Sequence, residues 1–201
     1  MKKFILALLA TAAMAMAESH THDGFFLNLA LGFGYQSFEY DGKEPLPDLE
    51  AKGLSSEFDV KLGGRVAPNT LLHATIAGVA CGEDLKISSD NESHSISGKT
   101  ESMSFLGIGV TYYLPINVFF SGSIGFASFN LQDSSDKDGD IEGSTEEGLG
   151  FQVAVGKEWW VSDNWGLGLA AAFTYGSAED KGDVGEASAY GINIMFSATF
   201  N

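Results

Sequence analysis

The sequence predicts an all-β protein, an eight-stranded up-and-down antiparallel transmembrane β-barrel. Three observations lead there. A period of two recurs from residue 25 onward, short and long connections alternate without exception, and on nearly every strand a face of large apolar residues opposes a face of small ones. No helical period of 3.6 competes after residue 24.

The elements follow in order. Met1-Lys2-Lys3 is a short positive segment, residues 4–17 are apolar and uncharged, and Ala15-Met16-Ala17 is a small-x-small cleavage site before polar Glu18-Ser19-His20. That is the pattern of a secretory signal peptide, and the run is shorter than the ~20 residues a spanning helix needs. Ala13-Met14-Ala15 fits the cleavage rule as well. The expected organisation is a signal peptide over 1–17, a short periplasmic N-terminal segment over 18–24 and an outer-membrane barrel over 25–201.

The first strand sets Phe25, Leu27, Leu29, Leu31, Phe33 and Tyr35 against Phe26, Asn28, Ala30, Gly32, Gly34 and Gln36. The second sets Phe58, Val60, Leu62 and Val66 against Glu57, Asp59, Lys61 and Arg65. Residues 72–82 are ambiguous, with His73 and Thr75 on the more polar face. Strands near 106–114, 118–127, 149–156 and 165–175 repeat the contrast of bulky residues against Gly, Ala, Ser and Thr. The last, Tyr190-x-Ile192-x-Ile194-x-Phe196-x-Ala198-x-Phe200, shows it most cleanly.

Pro68-Asn69, Pro115-Ile116-Asn117 and Asp163-Asn164 mark short turns. Residues 39–54, 83–101, 132–147 and 179–187 read as four long polar loops, and they carry 21 of the 27 acidic residues. An even strand count returns both termini to the short-turn end.

A soluble lipocalin-like barrel turns its apolar face inward, and a membrane barrel turns it outward. Here the opposite face is made of small residues, which suit a cramped eight-stranded interior better than a solvated exterior. The large residues are therefore expected to face lipid. Trp159, Trp160, Trp165, Tyr112, Tyr113, Phe119, Phe120 and Phe200 would form one aromatic girdle, and Tyr35, Phe38, Tyr40, Phe129, Tyr175 and Tyr190 the other.

Composition limits the function. Eleven basic against 27 acidic residues, a net charge of -16, exclude a nucleic-acid binder, which needs clustered Lys and Arg. One cysteine excludes an intramolecular disulfide framework or a multi-cysteine metal site.

The chain resembles small eight-stranded outer-membrane barrels of the OmpA/OmpX/OmpW type. The resemblance rests on the strand pattern and on the C-terminal strand ending in Phe200, with Asn201 as a departure from a terminal aromatic. It implies recognition by the barrel-insertion machinery, passage on periplasmic chaperones, outer-membrane lipids as partners, and a monomer. No peptidoglycan-binding domain is expected to follow the barrel.

Candidate sites are few. Glu57, Asp59, Lys61, Arg65 and Glu158 point inward by parity, with Arg65 and Glu158 at similar heights. They form a charge network that acts either as a plug or as the gate of a narrow ion path. Asp136, Asp138, Asp140 and Glu142 lie in a loop that partly matches an EF-hand, with Gly139 at its turn position. The choice there is a weak divalent cation site, with Ca²⁺ or Mg²⁺ held loosely, or a solvated acidic loop. Cleavage after Ala17 would leave Glu18, Ser19 and His20 as a square-planar Cu²⁺ or Ni²⁺ motif. His94-Ser95 and His73 lack a sequence-local base and orienter, so no enzyme is expected. Two function classes remain: an envelope or surface-display barrel, and a narrow pore or carrier for small or apolar solutes.

Overall fold

The computed structural model describes residues 20–22, 24–43, 48–81, 85–89, 92–96, 99–133, 141–181 and 185–201. Its strands are β1 (Phe25–Gly42), β2 (Asp48–Ala67), β3 (Thr70–Cys81), β4 (Leu85–Ser89), β5 (Glu92–Ile96), β6 (Lys99–Tyr113), β7 (Val118–Asp133), β8 (Ile141–Ser144), β9 (Gly148–Trp160), β10 (Trp165–Glu179) and β11 (Gly185–Phe200). Eight of them, β1, β2, β3, β6, β7, β9, β10 and β11, pair antiparallel with their neighbours around a ring. β1 closes it by pairing with β11 on one side and β2 on the other, so Leu31 lies opposite both Phe196 and Phe58. The predicted eight-stranded barrel is the fold. Closure leaves this ring without an edge, which is what makes strands viable in hydrocarbon.

The period of two sorts the side chains. Outward lie Leu31 (69% exposed), Ile124 (68%) and Leu149 (73%), with Phe33, Ile108, Ile192 and Phe196 in the same apolar band. A continuous apolar surface around the whole ring far exceeds what a water-soluble monomer displays, and it fits acyl chains. Among the described residues no helix is long and apolar enough to cross a membrane.

Two expectations change. The segments 39–54 and 83–101 are not simply loops. β1 runs to Gly42 and β2 starts at Asp48, while β4 and β5 form a hairpin whose first strand pairs with β2. Polar residues extend the ladder here because backbone pairing does not need an apolar face. The aromatic girdles also lose members. Tyr113, Phe119, Phe38 and Phe129 are buried inside the barrel, because the inward parity of β1, β6 and β7 continues through them. Tyr112, Phe120, Trp159 and Trp165 remain outside at the short-turn end, with Tyr35 and Tyr190 outside toward the loops.

Glycine admits close strand approach at Gly34. A Cβ there would collide with the carbonyl oxygen of Ile192 and with Asn193 across the β1–β11 pair. Gly122, on the lipid face of β7, has open space where a Cβ would stand.

Candidate functional site: the filled lumen

The inward residues form three layers. At the short-turn end Phe26, Leu71, Tyr113, Phe119 and Met195 pack with Ala30, Ala170 and Ala172. At the loop end Phe38, Val79, Met103 and Phe129 pack with Ala51, Ala178, Ala187 and Ala189. A polar belt lies between them.

Glu57 is the hub of the belt. Its carboxylate accepts from Gln152 Nε2 at 3.0 Å, Thr174 Oγ1 at 3.0 Å and Asn193 Nδ2 at 2.6 Å, so donors from β9, β10 and β11 meet on one side chain of β2. Ser55 Oγ donates to Asn193 Oδ1 at 2.8 Å. Lys61 forms an ion pair with Asp59 and donates to Gln152 Oε1 at 3.0 Å. Asp59 and Lys61 stand two apart on one strand face, so their pairing is local, while Gln152, reaching in from β9, links Lys61 to Glu57.

Beside the belt, His73 is 2% exposed, with Nδ1 3.0 Å from Thr75 Oγ1 and Nε2 3.0 Å from Thr111 Oγ1. Thr75 and Thr111 continue to Ser123 and Ser121. Lower down, Glu158 accepts from Tyr113 Oη at 3.0 Å and from Thr199 Oγ1 at 2.5 Å, and Thr199 accepts from Asn28 Nδ2 at 2.7 Å. Toward the loop end Gln36 Nε2 donates to Glu101 Oε2 at 2.5 Å.

Four carboxylates, Glu57, Asp59, Glu101 and Glu158, are thus buried around a single buried lysine among the described residues. Such charges are tolerated only with hydrogen bonds or counter-charges, and the belt supplies mostly hydrogen bonds.

The structure therefore brings Glu57, Asp59 and Lys61 together and leaves Arg65 out. Arg65 is exposed at the short-turn rim, where a bulge in the β2–β3 register precedes Ala67 and the Arg65 amide bonds Gly24 O. By register Arg65 keeps the inward parity, opposite buried Leu71, but it stands at the open rim beyond the packed lumen and so stays exposed. Glu158 is buried and inward but takes Tyr113 and Thr199 rather than Arg65. Gln36, Glu101, Gln152, Thr174 and Asn193 were not singled out from the sequence. The available signal was an amide or carboxylate among small residues on an otherwise alternating strand.

Asp136, Asp138 and Asp140, the side chain of Glu142, and Glu18 and Ser19 lie outside the described residues. The side chain of His94 does too. His20 stands 5.4 Å from the Trp160 ring, with its amide donating to Asp163 O at 3.0 Å, the same nitrogen a Cu²⁺ or Ni²⁺ wrap would use. Its neighbour His22 stacks on Tyr113 with centroids 3.5 Å apart and covers the short-turn mouth. Among the described residues no group of three or more His, Cys, Asp or Glu side chains is placed to hold a metal ion.

No family model matches the chain, and no curated protein matches it in sequence. Solved structures of similar shape are found. Outer membrane protein OprG from Pseudomonas aeruginosa superposes with a TM-score of 0.51 at 9% identity, covering 90% of this chain and 98% of that one. The outer membrane protease OmpT from Escherichia coli gives 0.49 at 12%, covering 92% and 99%. Neisserial surface protein A gives 0.48 at 12%, covering 86% and 95%.

Proposed function

We propose that the protein is a monomeric, non-enzymatic barrel of the bacterial outer membrane, of the OmpA/OmpX/OmpW type, that seals its own lumen and works through its acidic loop end. There it supports envelope integrity or makes surface contacts. The apolar outer band and the alternating C-terminal strand to Phe200 support the membrane reading, with export behind a cleaved signal peptide and insertion by the barrel machinery.

The observation that carries the proposal is the filling of the lumen. Two apolar clusters bracket a hydrogen-bonded polar belt, and the cavity beside Asp59, Lys61 and Glu158 measures about 30 Å³. A water needs ~10–15 Å³ measured this way, so two or three fit and no continuous water column does. A pore would need that column. The non-enzymatic reading is supported by His73, whose ring nitrogens are both engaged by threonines inside the sealed interior.

The test is electrical. Purified mature protein in planar bilayers should show no steady conductance, and well-resolved openings of the wild type would overturn the sealed reading in favour of a narrow pore. In cells the protein should fractionate with the outer membrane and migrate faster unheated than boiled. Recovery from the soluble periplasm would refute the location.

A further inference from the structure

Above the loop-end cluster the barrel mouth holds a cavity of about 280 Å³. Phe38, Leu49, Phe129 and Leu131 give it apolar walls, and Glu101 is among its lining residues. Glu101 is 2% exposed. One of its oxygens accepts from Gln36, and the other, Oε1, has no hydrogen-bond partner. Among the described residues no cationic side chain pairs with it. Asp180 adds a second carboxylate to the lining and accepts from Tyr40 Oη at 2.9 Å. Lys181 stays exposed at the rim, donating to Ser144 Oγ at 2.8 Å.

A carboxyl group buried beside apolar walls without a counter-charge is driven toward its neutral form, and an incoming ammonium supplies the missing counter-charge for its carboxylate. The volume sits near the lower end of the ~300–1,000 Å³ of small-molecule sites, enough for one ring or a short alkyl chain. The acidic loop segments raise the local concentration of cations, which favours a positive ligand over a neutral or anionic one. We propose that the loop-end mouth binds a small primary amine with an apolar body, its ammonium donating to Glu101 Oε1 and its body lying against Phe38, Phe129 and Leu131.

After residue 17 the chain has two methionines, and they divide the barrel usefully. Met103 belongs to the loop-end cluster beside the cavity, and Met195 to the short-turn cluster. The mature protein, folded in lipid nanodiscs with labelled methionine methyl groups, is titrated with phenethylamine. Met103 should shift saturably while Met195 stays still. Glu101→Gln, whose fold is verified by heat-modifiable migration, should weaken phenethylamine at least tenfold, about 1.4 kcal/mol. The matching alcohol, 2-phenylethanol, should bind wild type and Glu101→Gln alike. Ala187→Leu, which narrows the same cavity, should weaken both ligands. The proposal is overturned if Met103 shows no saturable shift, if both methionines move together as in bulk partitioning, or if Glu101→Gln binds phenethylamine as tightly as wild type does.

Discussion

Lys61→Met removes the single buried cation of the described lumen while keeping much of the side-chain volume, so its effect is chiefly electrostatic. The substitution leaves Asp59, 3% exposed, without its ion pair, and Gln152 Oε1 without its donor. Breaking a fully buried pair from one side costs about 3–5 kcal/mol, whereas an exposed pair loses ~0–1 kcal/mol. The neighbouring 30 Å³ cavity admits a water that can partly solvate Asp59, which places the expected loss near the low end, about 3 kcal/mol. Urea unfolding in micelles, followed by fluorescence of Trp159, Trp160 and Trp165, reads the change. Asp59→Asn alone strands Lys61, and the double variant should recover part of the loss, giving a coupling energy above about 1 kcal/mol in a double-mutant cycle. A Lys61→Met variant within ~1 kcal/mol of wild type, or a coupling indistinguishable from zero, would refute the belt as the device that compensates buried charge.

Three further outcomes are expected. Ile194→Arg puts a charge on the lipid face and should lower barrel stability by about 2–4 kcal/mol, whereas Asn193→Ser should insert normally but lose about 1–3 kcal/mol because Glu57 forfeits a donor; wild-type stability of Ile194→Arg in a bilayer would invert the assignment of faces. Gly34→Ala should impair refolding yield while Gly122→Ala leaves it unchanged, since only the first meets the neighbouring strand's backbone; equal yields would contradict that close approach. Ca²⁺ binding by the loop end, followed by calorimetry, should be multivalent and should weaken as monovalent salt rises; one salt-insensitive site lost in Asp138→Ala would support a discrete cage instead.

Much of the fold was legible because alternation is a strong signal wherever one face touches lipid and the other a narrow interior. Tyr190 to Phe200 shows this best, with Ile192 outside and Asn193 inside as their parity requires. Legibility failed where the outer face stops being apolar. Glu101, Met103 and Phe105 alternate with Thr100, Ser102 and Ser104, a strand whose outward residues are polar and which therefore read in part as loop. The aromatics misled for a related reason. An aromatic near a strand end suits a membrane interface and a barrel cap equally well, so Phe38 and Phe129 needed the paired register to be placed inside. At the candidate site, the inward placement of Glu57, Asp59 and Lys61 was legible from parity, whereas Gln152, Thr174 and Asn193 are brought to Glu57 by three separate strands. Arg65 keeps the inward parity opposite Leu71 but stands at the rim, a height that parity alone does not fix.

The paired wall does not stop where the apolar band does. Tyr35 is the last outward aromatic of β1, yet the strand stays hydrogen-bonded to β11 as far as the Gly42–Gly185 pair. Seven residues at ~3.4 Å each, inclined at ~40°, raise a collar of roughly 18 Å above the lipid. Proteases need several consecutive residues of open chain in their clefts, and a residue held in a ladder denies them that. Lys52, exposed on β2 and opposite Ser37, sits in this collar, so trypsin added to the folded barrel meets it as paired wall rather than as a cleavable loop.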